Sequence, residues 1–303
     1  MASCDENRGL PLNFLVISRR SFLQISLAAL FSPSGFLSPA QAFTSPVMGK
    51  DLLSQYLGEH LVYQIGFWLF SHCGEASVSL CKTPSRNIYV ATMQGKTVGL
   101  VDWLLGHYRY SYTSYAGYDQ DADRLYPLFF SLRKKRKDKV SVRTVTFNYK
   151  DKELIFARQG SKGERSHKIT PMKRGILYED YLTLFYNFRH GYYGPLRRGK
   201  TYHLPLHIHE GFQYLDLTIG SEREREKALS QELDTKGKDY LVRFRVLKED
   251  VSSKSGKILG WLSKDGVPTK GVIKDVIFFG DLWGVLVNRE IGEKFCRPQS
   301  PGW

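Results

Sequence analysis

Apolar residues recur along most of this chain at every second position, in short runs closed by Gly, Asn, Asp or Lys. That period of two predicts a protein built mainly from β-strands. Residues 61–70 are apolar on both parities, the pattern of a strand covered on both faces. Residues 75–81 alternate, with Ala76, Val78 and Leu80 set against Glu75, Ser77 and Ser79. Strands are expected next at 88–93 and 97–105, with Gly95 and Lys96 as the turn between them. Tyr108, Tyr110 and Tyr112 share one parity within 107–118, a row that either stacks on sugars or packs across strands. Residues 142–149 and 153–157 read as a hairpin around Lys150, Asp151 and Lys152, followed by a polar loop at 160–168. Strands resume at Thr201 and are expected at 212–219, 240–247, 257–262, 272–279 and 285–288.

One segment breaks the period. Tyr181, Leu184, Phe185 and Phe188 fall at i, i+3, i+4 and i+7, with Asp180 placed as N-cap and Gly191 just past the end. A helix at about 180–190 is therefore expected, plugging the open end of a sheet. A short helix at 51–57 stopped by Gly58 is also expected, and the charged stretch 221–236 fits either a helix or an exposed hairpin. The fold class is mainly β: a single antiparallel β roll or half-barrel, barrel-like, with one packed helix.

Composition agrees with this. The 303 residues are 42% hydrophobic and 14% aromatic, enough for a sizeable core and rich in side chains that suit pleated surfaces. The N-terminus carries an address: Ser18-Arg19-Arg20-Ser21-Phe22-Leu23-Gln24 matches a twin-arginine signal, 25–37 is a mildly apolar stretch, and Ala40-Gln41-Ala42 places cleavage after Ala42. That stretch is shorter than the roughly 20 residues a membrane span needs, and no later run is longer, so no transmembrane helix is expected in the mature chain. The divisions are a signal at 1–42, a leader at 43–57, one β domain at 58–290 and a tail at 291–303. The expected location is periplasmic.

The formal charge is +14, or +13 once Arg8, Arg19, Arg20, Asp5 and Glu6 leave with the signal. A basic chain favours anionic partners, and export makes nucleic acid the wrong one, leaving envelope lipid, polysaccharide or protein. Arg133, Lys134, Lys135, Arg136 and Lys137 form a basic run expected at a hairpin end, either solvated or in contact with anionic lipid or polysaccharide. Cys73, Cys81 and Cys296 remain in the mature chain. Cys73 and Cys81 sit on one predicted strand about 26 Å apart, beyond disulfide reach, whereas Cys296 is free to bridge to either.

Several segments together resemble an exported bacterial family known only as domain of unknown function 3108. They are Gly58-Glu59-His60-Leu61-Val62-Tyr63, Cys73-Gly74-Glu75-Ala76, Leu125-Tyr126-Pro127-Leu128-Phe129, and a helix with Asp180, Thr183, Tyr186 and Arg189 in the spacing D-x-x-S-x-x-Y-x-x-R. Trp261-Leu262-Ser263-Lys264-Asp265, Val267-Pro268 and Phe279-Gly280 complete the series. The resemblance spans about 58–287 and implies a β roll or half-barrel wrapping an interior in the cell envelope. It implies no established activity and no catalytic residues.

The sharpest local chemistry is His203-Leu204-Pro205-Leu206-His207-Ile208-His209. On a strand, His203, His207 and His209 share a face, and His207 with His209 could hold zinc or copper if a third ligand such as His190, His167 or a carboxylate converged. The alternatives are a solvated strand face or histidines lining a cavity. Asp119, Asp121 and Asp123 alternate like the start of a calcium loop, but the Gly and distal Glu are missing. No nucleophile elbow, phosphate loop, dinucleotide fingerprint or His-Glu-x-x-His is present. The leading expectation is a non-enzymatic binding or carrier protein for an apolar or amphipathic ligand or an envelope partner, with no cofactor. A metal module on the histidines and a binder of acidic polysaccharide or lipopolysaccharide are the rivals.

Overall fold

The computed structural model describes residues 50–68, 70–209, 213–232, 235–277 and 280–292. The signal with Arg19 and Arg20, its cleavage site at Ala42, Cys296 and the rest of the tail beyond 292 lie outside the described residues.

Among the described residues, two antiparallel meanders share one sheet. The first runs β1 (Glu59–Phe67), β2 (Phe70–Lys82), β3 (Ile88–Thr97), β4 (Arg109–Asp119), β5 (Arg124–Arg136), β6 (Lys139–Asn148), β7 (Glu153–Gln159) and β8 (Arg165–Pro171). The second runs β9 (Thr201–Leu206), β10 (Gln213–Ile219), β11 (Tyr240–Arg245), β12 (Lys257–Leu262), β13 (Pro268–Val276) and β14 (Gly280–Ile291). They join where β1 pairs with β14, Glu59 opposite Ile291 and Phe67 opposite Leu282. β8 and β9 are the two edges, so the sheet is open rather than a closed barrel.

The chain between those edges holds α3 (Tyr181–His190), and α3 shapes the sheet. It packs on β3, β4 and β5 and also on β9. β3 and β9 are eight places apart in the strand order, about 38 Å in a flat sheet. One helix, roughly 10–12 Å across, reaches both only if the sheet curls around it. Leu182, Leu184, Tyr186 and Phe188 accordingly share a core with Leu61, Leu80, Leu125, Phe130, Leu204 and Ile219.

Local chemistry fixes this helix. The Asp180 carboxylate accepts from the amides of Leu182 (2.7 Å) and Thr183 (3.0 Å), while the Thr183 hydroxyl accepts from the Asp180 amide, a reciprocal cap. Gly191 ends it in the left-handed conformation at φ 88°. The expected helix at 51–57 forms as α1 (Leu52–Tyr56), capped by Asp51.

Three expectations are corrected. The strand expected at 97–105 does not form: Thr97 ends β3, and Gly99–Leu105 is helix α2, inserted in the β3–β4 hairpin. Gly95 and Lys96 are not a turn but lie within β3, opposite Tyr110 and Arg109. Here glycine is required by a close approach, because a Cβ on Gly95 would stand 2.2 Å from the Tyr110 ring. The loop expected at 160–168 holds the start of β8, an exposed edge strand whose polar residues carry no apolar alternation. The ambiguous stretch after Gly220 contains helix α4 (Glu222–Leu229), closed by a Ser221–Glu224 capping box.

Candidate functional site

A carrier would need room in the interior, and buried side chains fill it. Asp180 is fully buried, and burial pushes its carboxyl up to about 6 against the pull of the Ser114 hydroxyl and the Thr183 and Leu182 amides. Glu179, also fully buried, accepts from Asn187 and from the Tyr193 hydroxyl, each at 2.8 Å, and faces Arg124 at 3.7 Å. Burial raises its carboxyl pKa despite these partners. Asn187 also bonds both backbone groups of Leu125, standing in for a strand neighbour. Asp180 and Thr183 of the family-like helix, with Glu179 and Asn187 beside them, thus spend their polar groups on fixing α3 inside the sheet.

The three candidate histidines part company. β9 ends at Leu206, so the two-residue period does not carry on to His209. His203 is exposed, its Nδ1 2.6 Å from Asp216. His207 is 2% exposed with its ring 4.4 Å from that of Tyr178, and burial lowers its pKa to about 4. His209 joins a cluster with Asp250 of the short helix α5 (Lys248–Val251), Arg143 and Tyr181. The Arg143 guanidinium can only donate, so His209 Nδ1, at 2.7 Å, accepts and Nε2 carries the proton to Asp250 at 2.8 Å. Both nitrogens are engaged by protein. The Tyr181 hydroxyl also donates to Asp250 at 2.8 Å. Burial opposes the charge on Asp250, yet the His209 and Tyr181 hydrogen bonds, with the charge of Arg143, hold its pKa below the usual value. Among the described residues no three His, Cys, Asp or Glu side chains are grouped to hold a metal ion. Cys73 and Cys81 are buried on β2.

Beside this cluster is a polar groove of about 280 Å³ lined by Lys134, Ser141, Arg143, Arg158, Gln159 and Asp250. Lys134 belongs to the basic run, which the structure places at the end of β5 and in the turn to β6, as expected. Arg136 and Lys137 are exposed there.

The same end of the sheet carries what the sequence reading missed. Alternate turns of a meander face one way, so the β1–β2, β3–β4, β5–β6 and β13–β14 turns lie together. In the β3–β4 turn, α2 buries Val101 with Phe67 and Cys73 and leaves Leu100, Trp103 and Leu104 60–71% exposed. Trp68, at the β1–β2 tip, is 78% exposed and held at φ 44°, a conformation that bulky side chains rarely adopt. Asp102 braces α2, accepting from Thr97 Oγ1 (2.6 Å) and Arg109 Nη1 (2.5 Å), with His107 Nδ1 at 2.6 Å. The Arg109 hydrogen bond, helped by Thr97 and His107, holds that carboxyl well below the usual carboxylate range. The available signal is Asp102 set inside the unalternating apolar run 100–105, seven residues before Arg109.

No curated protein matches the chain. Solved structures similar to it include the following two. One is a β-barrel-like protein of domain of unknown function DUF1849 from Brucella abortus, 12% identical, covering 78% of this chain and 98% of its own, with a TM-score of 0.41. The other is a DUF1089 family protein from Pseudomonas aeruginosa, 11% identical, covering 67% and 91%, with a TM-score of 0.30. The family model described as "Protein of unknown function (DUF3108)" matches residues 62–285, well over half of the sequence, and the chain belongs to that family.

Proposed function

We propose that this is an exported, non-enzymatic envelope protein that binds its partner on the outside of its sheet rather than enclosing a ligand within it. The observation that carries this is the burial of α3: Leu182, Thr183, Leu184, Tyr186, Asn187, Phe188, Arg189 and His190 are all buried, occupying the space that a carried lipid would need. Trp68, Phe70, Leu100, Trp103 and Leu104 instead gather exposed apolar surface at the β1–β2 and β3–β4 tips. The twin-arginine motif at Arg19 and Arg20 supports a periplasmic location, and export of an already folded chain suits a sheet that closes on its own helix.

Native mass spectrometry of the protein isolated from the envelope fraction of its own host tests this. The expected mass is that of a chain starting at Phe43 with nothing added. A co-purifying lipid held in the folded protein, or an intact N-terminus in the cytosolic fraction, would overturn the reading.

A second reading, binding of acidic polysaccharide or lipopolysaccharide, draws on the groove beside Lys134, Arg143 and Arg158. Its mark is affinity that falls steeply between low and moderate salt, because exposed charge contacts are screened.

A further inference from the structure

We propose that the sheet end bearing α2 docks on the surface of an anionic lipid bilayer, an inference that rests on the outside-binding reading and names the partner. Two features meet there. The first is apolar: Leu100, Trp103 and Leu104 face outward from α2, and Trp68 and the half-exposed Phe70 flank the β1–β2 turn. The turn is tied to the helix by the bond from the Val98 amide to the Cys73 carbonyl (2.9 Å) and by the contact of Val101 with Phe67. The second is cationic. The β5–β6 turn places exposed Arg136, Lys137 and Lys139 around Asp138. It is bonded directly to the C-terminus of α2: Arg136 Nε donates to the Leu105 carbonyl at 3.0 Å, and the Lys137 amide to the Gly106 carbonyl at 2.6 Å.

Charge complementarity selects the occupant. A bilayer surface offers phosphates just outside a shallow apolar layer, and tryptophan and leucine with lysine and arginine behind them fit that order. Each cation near such a surface adds to attraction that falls off within a Debye length. Asp102 fixes the presentation, since its bonds to Thr97 and Arg109 hold α2 at the hairpin tip. No described helix is long and apolar enough to cross a membrane, so α2 would lie at the surface.

The test is flotation of the protein, purified from its own host, with vesicles of phosphatidylglycerol and phosphatidylcholine and with vesicles of phosphatidylcholine alone. Binding is expected to the anionic vesicles, with a blue shift of tryptophan fluorescence. The surface pair Trp103→Ser with Leu104→Ser, and separately Arg136→Glu with Lys137→Glu, should each weaken binding by about tenfold or more. Unchanged circular dichroism would show that both variants fold. No flotation with anionic vesicles, equal flotation with neutral ones, or binding indifferent to both variant pairs would overturn the proposal. That failure would leave the outside-binding reading standing if the native mass is still that of the bare chain, since a protein partner would then take the same face.

Discussion

Glu59 and Arg189, 130 residues apart in sequence, form a bidentate pair with Nη1–Oε2 at 2.6 Å and Nη2–Oε1 at 2.9 Å, both side chains almost wholly buried. Arg189 also donates to the Gly266 carbonyl at 3.1 Å, and its guanidinium lies over the rings of Tyr56 and Phe185 at 4.5 and 4.9 Å. One side chain thus ties α3 to β1, to α1 and to the turn before β13. Arg289 Nε also reaches Glu59 Oε1 at 3.1 Å, so it is removal of Glu59 that leaves the buried Arg189 charge without its carboxylate. Glu59→Gln should therefore cost about 3–5 kcal/mol, read by urea unfolding. Replacing both residues with Met should cost less than the sum of the single changes, and strict additivity would mean that the pair does not act as a unit.

Asp180 and His207 should tilt the pH dependence of stability in opposite directions. Burial raises Asp180 from 3.8 to about 6, so the folded state holds that proton longer. Its contribution is complete below 3.8 and lost as pH rises through 6. Burial lowers His207 from 6.5 to about 4, so its contribution is complete above 6.5 and lost as pH falls through 4. Relative to the parent protein, Asp180→Asn, which keeps a capping side chain, should make stability rise more steeply between pH 4 and 6. His207→Phe should make it fall with pH there. Urea midpoints across that range decide it, and identical slopes for all three proteins would contradict the burial assignments.

Gly95 faces the Tyr110 ring across β3 and β4. Tyr110 is itself packed against Tyr108 and Tyr112 at centroid distances of 6.4 and 5.8 Å, and Tyr112 continues to Tyr181 of α3 at 6.0 Å. The row is therefore short of space in which to move. Gly95→Ala should cost about 1–3 kcal/mol, measured as a lowered Tm. No loss would show that the Tyr110 ring swings aside freely.

Asp102→Asn should loosen α2 without unfolding the sheet, because the brace acts within one hairpin. Limited proteolysis should then cut near 98–108 faster, while the overall Tm changes little. Cleavage at the parental rate would show that apolar packing of Val101 alone holds the helix.

Legibility in the sequence followed the strength of the local signal. α3 is readable because four apolar positions, an N-cap and a following glycine agree. α2 is not, because Gly99–Leu105 is a short apolar run that fits a strand or a helix equally, and the Asp102–Arg109 bond that braces it forms only once the β3–β4 hairpin is in place. β8 was missed because Arg165–Pro171, an exposed edge, has little apolar side to alternate. The period of two that puts the histidines on one face ends at Leu206, after which His207 turns into the core and His209 toward Asp250. An open sheet rather than a closed barrel depends on whether β8 meets β9, a pairing no local pattern encodes.

If α3 permanently fills the sheet, hydrogen exchange of its amides at 184–190 should proceed only through global unfolding, at the same free energy as β4 and β5. Exchange at a markedly lower free energy, with the strands still protected, would make α3 a displaceable gate and restore the interior as a binding cavity.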